Sequence, residues 1–488
     1  AFSSDNQWVA YVITPDSETE KKLKKSKKPV HKTAELMNLT TGEKVQVERA
    51  NTMTFSNDAM FWMVHRKKPD EDDSKHKGSD LIIRNLQSGS VTSIGNVSEF
   101  APNQKSTKMA YLVDASEKSG NGLYLFDLKN ATQQPIHTDT LTYSGLTWDD
   151  VDAEEKIWKS KGNRLVVLAG VTPEKKDLRE NKLIILQGID KKPETVILDP
   201  SKQSGFPDGM VISEDGTLSW TANSETVMLG LKMQKDKIEL SKDSVANVDV
   251  WHWKDDRIQT VQMRQYNRDV RFTYASAFHI PSEKFVQLAD DEMREINDSD
   301  HNRYRVGRDE EKYRNDVNWG VSPADLYRVD IANGTRRLFA EDIKRSMGYS
   351  PDGRYFLYQL MNGEDAYVIL YDLETGKKSD ITANSPVQFA NTEHIYPHEN
   401  PPYGLAGWTK DGKSVILNHK YDLWMLALDG SKATNITKGM GEENNIIFRY
   451  VNMDDSDYID TSKEITLSAF GELNKKDGFY SLKMGSNP

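Results

Sequence analysis

Ser350-Pro351-Asp352-Gly353-Arg354-Tyr355-Phe356-Leu357-Tyr358, followed by Val368-Ile369-Leu370-Tyr371-Asp372-Leu373-Glu374-Thr375-Gly376, is the phrase that decides the fold. Pro351 presets φ, Asp352 caps locally and Gly353 accepts positive φ, so the first four residues read as a tight turn. The apolar runs behind it read as strands, and the second run stops at an acidic residue and a turn that ends in glycine. Strand, turn, strand, turn is the content of one four-stranded antiparallel blade.

The phrase recurs in both directions along the chain. Its first half returns as Ser56-Asn57-Asp58-Ala59, Ala101-Pro102-Asn103, Ser213-Glu214-Asp215-Gly216 and Thr409-Lys410-Asp411-Gly412, and Gly162 marks a further turn before Asn163-Arg164-Leu165. The second half returns as Leu81 to Gly89, Leu123 to Leu128, Leu326 to Gly334 and Leu423 to Gly430. These spacings exceed the compact blade period of about 40–45 residues, so long loops are expected. Between Asp215 and Asp352 there is room for two long blades, with strands at Val248–Trp253, Tyr274–Ile280 and Lys284–Leu288. The fold class read from this is all-β, a β-propeller of four-stranded antiparallel blades, eight favoured and seven possible.

One propeller domain over 1–488 is expected, with blades near 1–50, 51–94, 95–140, 141–200, 205–288, 289–340, 341–400 and 401–440. Residues 441–488 supply either a terminal blade or ring-closing strands. Two separate β-sandwiches would show a linker and no sustained repeat; no such linker stands near the middle. Helical periodicity is confined to short charged stretches such as Glu18 to Lys25. Both ends read as strand broken at a turn, so the expectation is a piece of a longer chain.

Composition removes several function classes. Lys and Arg number 64 against 75 Asp and Glu, and the net charge of −11 opposes nucleic acid and anionic lipid. No run approaches the roughly 18 apolar residues of a membrane span. Without cysteine there is no disulfide framework, thiol catalysis or Cys-ligated zinc, and the compartment stays open.

Candidate chemistry is sparse. A serine hydrolase elbow needs Gly-x-Ser-x-Gly; Gly348-Tyr349-Ser350-Pro351-Asp352, Gly320-Val321-Ser322-Pro323-Ala324 and Gly412-Lys413-Ser414-Val415-Ile416 all lack the final glycine. His394 and His398, flanked by Glu393 and Glu399, are read as a blade connection, because Pro397 prevents helical ligand spacing. Asp298-Ser299-Asp300-His301-Asn302 opens like a calcium loop, but Arg303 stands where that loop needs glycine. No metal and no cofactor is expected. The lysine-rich Lys21 to Lys28 reads as a solvated hairpin excursion between the strands of the first blade, with Asp70 to Asp73 in the next blade as an acidic counterpart that could pair with it. Trp251 and Trp253, with Trp148, Trp158, Trp220, Trp319, Trp408 and Trp424, read as blade-to-blade core. Arg303, Tyr304, Arg305, Arg308, Tyr313 and Arg314, together with Arg264 to Asp269, are the candidates for ligand-facing loops, since Arg and Tyr offer oriented hydrogen bonds and flat contact area.

The phrase at 350–376, Trp408-Thr409-Lys410-Asp411-Gly412, Tyr421-Asp422-Leu423-Trp424 and Asp249-Val250-Trp251-His252-Trp253-Lys254-Asp255 together resemble the propeller of bacterial serine peptidases of the prolyl oligopeptidase family, dipeptidyl peptidases included. The likeness covers essentially the whole chain. It implies a propeller lying over a C-terminal α/β-hydrolase domain with a Ser, Asp, His triad, admitting short peptides or chain ends. Neither elbow nor triad is present here, so no catalytic residue carries over, and the paired-glutamate motif of the dipeptidyl-peptidase branch is missing. The implied role is substrate gating, with that hydrolase domain and peptides as partners and an extracytoplasmic, periplasmic address, the cytoplasm being possible. The alternatives are a stand-alone TolB-like binding scaffold and an enzyme with its site in the propeller channel.

Overall fold

The computed structural model describes residues 1–72, 74–149, 163–238, 249–299, 301–363, 365–395, 399–453 and 456–488, with the backbone alone for 317–319. One turn recurs through it. A buried Ser or Thr hydroxyl donates to a carboxylate or amide two residues on and accepts the backbone N–H five residues on. Ser3 bonds Asp5 at 2.6 Å and receives Trp8 N at 3.0 Å. Ser56 does so with Asp58 and Phe61, Thr221 with Asn223 and Thr226, Ser350 with Asp352 and Tyr355, and Thr409 with Asp411 and Ser414. Asn103 takes the same place with its side-chain oxygen, accepting Lys108 N at 3.0 Å. All six lead residues are buried, so each polar group must find its partner inside the turn.

The strand that follows pairs back into a second recurrent turn. Asn38, Asn85, Asp330 and Asp372 each accept a backbone N–H two residues on, and their carbonyls receive the N–H of Gly42, Gly89, Gly334 and Gly376 at 2.8–2.9 Å. These glycines have φ between 71° and 76°, the left-handed region where a Cβ is costly.

Contacts divide the chain into two compact units, one of Ala1–Asp150, Ser160–Ser219 and Leu229–Glu239, the other of Val151–Lys159, Trp220–Met228 and Leu240–Pro488. In the first, Trp8–Ile13, Thr33–Asn38 and Lys44–Val47 pair antiparallel. Ala50–Phe55, Phe61–Arg66 and Ser79–Asn85 lead into the twelve-residue strand Val91–Pro102. That strand bends: Val91 to Val97 pair with Ser79–Asn85, and Val97 to Pro102 pair with Lys108–Val113. Gly122–Asp127 and Thr132–Thr138 complete the latter sheet. Thr142–Trp148, Arg164–Val171, Glu180–Gln187 and Glu194–Leu198 form the next four-stranded meander.

In the second unit, Tyr274–His279 and Lys284–Gln287 form a hairpin. Glu295–Asn297, Tyr304–Asp309, Ala324–Asp330 and Arg336–Ile343 make one four-stranded sheet, and Arg345–Tyr349, Tyr355–Asn362, Asp365–Asp372 and Lys378–Asp380 the next. Leu405–Thr409, Ser414–Asn418, Leu423–Ala427 and Ala433–Asn435 follow, with Tyr458–Ile459 added in parallel. The terminal strands Ile446–Tyr450, Ile465–Gly471 and Asp477–Leu482 pair with one another in a sheet of their own.

What makes these sheets propeller blades is that successive ones stack face to face. Residue alternation sends Phe356, Tyr358, Ile369 and Tyr371 into a core with Tyr304, Val306, Leu326 and Phe339 of the preceding sheet. The intervening Leu357, Val368 and Leu370 enter a core with Trp408, Val415, Leu417 and Leu426 of the following one. Ile416 and Leu423 then face Phe448, Ile465 and Leu467. The first unit repeats this, with Ala10, Ala34 and Leu36 against Trp62 and Val64, Met63 and Leu81 against Met109 and Tyr111, and Leu112 and Leu123 against Leu165 and Ile184. Strands buried on both faces explain why they read as near-continuous apolar runs. The chain is an all-β protein of stacked antiparallel propeller blades.

Two expectations fail. Residues 249–253 lie outside any strand, and Trp251 and Trp253 are 68% and 85% exposed, because among the described residues no strand packs over them. Trp148, Trp220 and Trp408 are buried as core residues; Trp158, Trp319 and Val248 fall outside the described side chains. The lysine-rich excursion holds a helix, Ser17–Lys25, capped by Asp16 and joined internally by Lys24 and Glu20 at 2.6 Å. Asp70 pairs with His31 rather than with these lysines, and Asp73 lies outside the described residues.

Replacing Ser350 by Ala leaves Tyr355 N–H and Asp352 short of a partner in a buried turn, so a loss of about 1–3 kcal/mol is expected. Urea denaturation should show Ser350→Ala destabilised and Ser350→Thr close to wild type; equal stability of all three would remove the turn from its structural role.

Candidate functional site

The second unit carries a polar cavity of about 380 Å³ lined by Arg257, Arg268, Glu295, Arg308, Glu310 and Arg314 among others. Three local structures build it. The helix Gln259–Arg271 brings Arg268 from its last turn, where a cation complements the helix dipole. The strands Glu295–Asn297 and Tyr304–Asp309 bring Glu295 and Arg308, and the 3₁₀ segment Glu311–Trp319 brings Tyr313 and Arg314.

Arg308 is the hub. Its guanidinium donates to Glu310 at 3.1 Å, to the Ser322 carbonyl at 3.1 Å and to Ser346 Oγ at 3.3 Å, and stands 3.6 Å from Glu295. Glu295 also receives Arg268 at 3.1 Å. Arg257 pairs with Asp269 at 3.0 Å and Arg314 with Asp256 at 3.6 Å. The lining holds four guanidiniums against the carboxylates of Glu295 and Glu310, and each guanidinium has a carboxylate partner in or beside the cavity, so the site presents donors and acceptors side by side.

The 3₁₀ segment is pinned from below. Asp325, fully buried, accepts Lys312 Nζ at 2.5 Å, Tyr313 OH at 2.7 Å and Asp342 N at 3.1 Å. Burial alone would raise the Asp325 carboxyl, but Lys312 and Tyr313 outweigh it and hold the group below its ordinary 3.8. Burial and the bond to Asp325 push the Tyr313 phenol up to about 12.

Of the six residues singled out from sequence, Arg308, Tyr313 and Arg314 line this cavity. Arg303, Tyr304 and Arg305 do not. Tyr304 and Arg305 belong to a strand rather than a loop, and both are buried. Tyr304 packs in the core with Val306 and lies under the guanidiniums of Arg303 and Arg328, while Arg305 donates to the carbonyls of His301 and Tyr304. Arg303 pairs with Asp330 at 2.8 Å. The tract Arg264 to Asp269 is helical, and its Gln265 and Arg268 reach the cavity. Glu295 and Asn297 had no sequence signal: their strand is three residues long, too short for alternation to register.

Glu393 is taken by Lys420 at 2.5 Å and Glu399 by Lys344 at 2.6 Å, and His398 lies outside the described residues. His301 is buried, receives Arg303 N and Tyr304 N on Nδ1 and faces Glu374 at 3.1 Å, so it closes a turn; Asp300 lies outside the described residues. Among the described residues no group of three or more His, Asp or Glu is placed to hold a metal ion. No described helix is long and apolar enough to cross a membrane.

No protein-family model matches the chain, and no curated protein does. Among solved structures it is similar to the β-propeller domain of the trilobed protease of Pyrococcus furiosus, at 14% identity and TM-score 0.31 over 78% of this chain and 94% of that one. It is similar to dipeptidyl peptidase 4 of Porphyromonas gingivalis at 10% identity and TM-score 0.37, over 90% of this chain and 63% of that one. It is similar also to TolB of Acinetobacter baumannii at 9% identity and TM-score 0.24, over 78% and 82%. The fold assignment rests on strand pairing and stacked cores.

Because the Asp325 carboxyl is held below 3.8, its stabilisation is complete above that value and disappears as pH falls through the folded-state value. Asp325→Asn should therefore lower the urea midpoint clearly at pH 7 and by progressively less as pH falls below 3.8. A penalty independent of pH would show that the charge of Asp325 does not anchor the segment.

Proposed function

We propose that this chain is the substrate-gating, peptide-selecting propeller of a prolyl oligopeptidase-like serine peptidase, with bond cleavage carried out by an α/β-hydrolase domain of the same polypeptide. The observation that carries the reading is the cavity around Arg308. A peptide presents alternating N–H donors and C=O acceptors, and a wall that holds guanidiniums beside carboxylates offers a partner to both. Guanidiniums held by carboxylates are pre-oriented, so little side-chain freedom is lost when a peptide docks.

The repeat phrase and the Val250-Trp251-His252-Trp253 stretch support the family reading, and the missing Gly-x-Ser-x-Gly is consistent with chemistry placed elsewhere in the polypeptide. Stacked blades are a rigid frame, and loops on a rigid frame hold recognition groups in register. Such a propeller keeps folded proteins away from a nucleophile while admitting short chains. A periplasmic or other extracytoplasmic address belongs to the same proposal.

A peptidase assay on this chain beside a chain extended beyond Pro488 tests it. The short form should be inert and the extended form active. In the extended form Arg308→Ala should raise KM about tenfold, the scale of a lost charge-assisted bond, with kcat changed less than twofold. Hydrolysis by the short form that a serine-directed inhibitor abolishes, or an extended form inert on every peptide, would overturn the proposal, the latter favouring a binding scaffold.

A further inference from the structure

The first unit holds a second, larger cavity of about 670 Å³, with no residue in common with the site around Arg308. It lies at a fork. Leu183 to Gln187 of the strand Glu180–Gln187 pair with Glu194–Leu198, whereas Asn181 pairs with Ile212 of Met210–Ile212. The chain between those two partners, from Asp199 through the 3₁₀ turn Pro200–Lys202 to Gly209, leaves the sheet and forms one wall. Leu141, Ala169, Val171, Met210, Val211 and Met233 supply the apolar lining. Val171 and Met233 leave 47% and 49% of their surface open at its mouth, an exposure their side chains gain nothing from unless something covers them.

Most of the polar groups around this lining are engaged with one another, and the exception, the buried Asn181 Oδ1, is a neutral acceptor. Lys182 pairs with Asp199 at 2.9 Å and Lys176 with Asp236 at 2.8 Å, with Glu180 adding to the field at Lys176. Ser201 donates to Asp199 at 2.7 Å. Gln234 exchanges bonds with the Leu178 backbone through both ends of its amide, and Asn181 Nδ2 donates to the Ile212 carbonyl and to Glu214. A charged ligand entering here would lose its hydration and find cations and anions already paired. A neutral one gains from the apolar wall, and two flexible methionines adapt to its outline.

We infer that this cavity binds a neutral, largely apolar molecule or side chain, recognised by shape and burial rather than by charge. Its volume falls within the range of ligand pockets, about 300–1,000 Å³. The site is independent of the peptide-selecting reading: it lies in the other compact unit and uses none of the same groups.

Equilibrium dialysis with indole as the neutral probe, and tryptamine and indole-3-acetate as its cationic and anionic counterparts, tests the inference. Saturable indole binding is expected, with both charged analogues at least about tenfold weaker, consistent with the desolvation cost of a charge. Met233→Trp, which fills the mouth from an exposed position, should abolish binding with an unchanged melting temperature; Val171→Trp serves if that variant does not fold. Binding of N-acetyl-tryptophanamide alongside indole identifies a side chain presented on a peptide as the occupant, and indole alone a free small molecule. No saturable indole binding, equal affinity for all three probes, or full binding in a folded mouth-filling variant would overturn the inference.

Discussion

The structure depends on a polar group that has nowhere else to go. At a strand-to-strand turn in blade after blade a Ser, Thr or Asn is driven out of water by the stacking of adjacent sheets, and its side chain is satisfied within its own turn. Meeting that demand fixes the acid or amide two residues on and the N–H five residues on, which sets the point where the following strand begins. A one-residue slip would exchange the two faces of that strand. Because both faces are buried, with Leu357 facing one core and Phe356 and Tyr358 the other, such a slip would rearrange two cores rather than one. The turn chemistry therefore fixes register for the whole stack.

This also explains which parts of the fold were legible in the sequence. Ser350 to Gly353 and Asp372 to Gly376 are local: the bonds that close each turn span at most five residues, so composition and spacing carry the signal. The strands were legible because burial on two faces leaves long apolar runs. The helix Gln259–Arg271 was not. Only Val261 of its residues is buried, so it has no apolar stripe, and Arg264-Gln265-Tyr266 looks the same whether helical or irregular. The tryptophans at 251 and 253 misled for the converse reason: an aromatic pair is ordinarily core, and the absence of a strand to pack on is not written in the pair itself.

The candidate site was half legible, and the division has a physical basis. Arg308, Tyr313 and Arg314 stood out because arginine and tyrosine are crowded together between Arg303 and Arg314. Crowding marks polarity but does not say where a side chain goes. Arg305 shows this: placed on a strand between Tyr304 and Val306, it is buried completely, and the carbonyls of His301 and Tyr304 supply acceptors that make such burial tolerable. The acids that hold the cavity together, Glu295 and Asp269, come from separate segments, and pairing across segments leaves no mark on a single sequence.

The two proposed sites would recognise their ligands in opposite ways on the same kind of scaffold. Around Arg308 the apolar contribution is small and specificity must come from the direction of hydrogen bonds, which tolerates little displacement of the groups that donate them. That precision is supplied from below, where Asp325 ties Lys312 and Tyr313 to a central strand. At the fork beside Asn181 the lining is apolar, burial is not directional, and flexible methionines suffice where a rigid network would gain nothing. Strand residues and the excursions between strands together line both sites. The lining of each site is therefore distinct from the turns that set strand register.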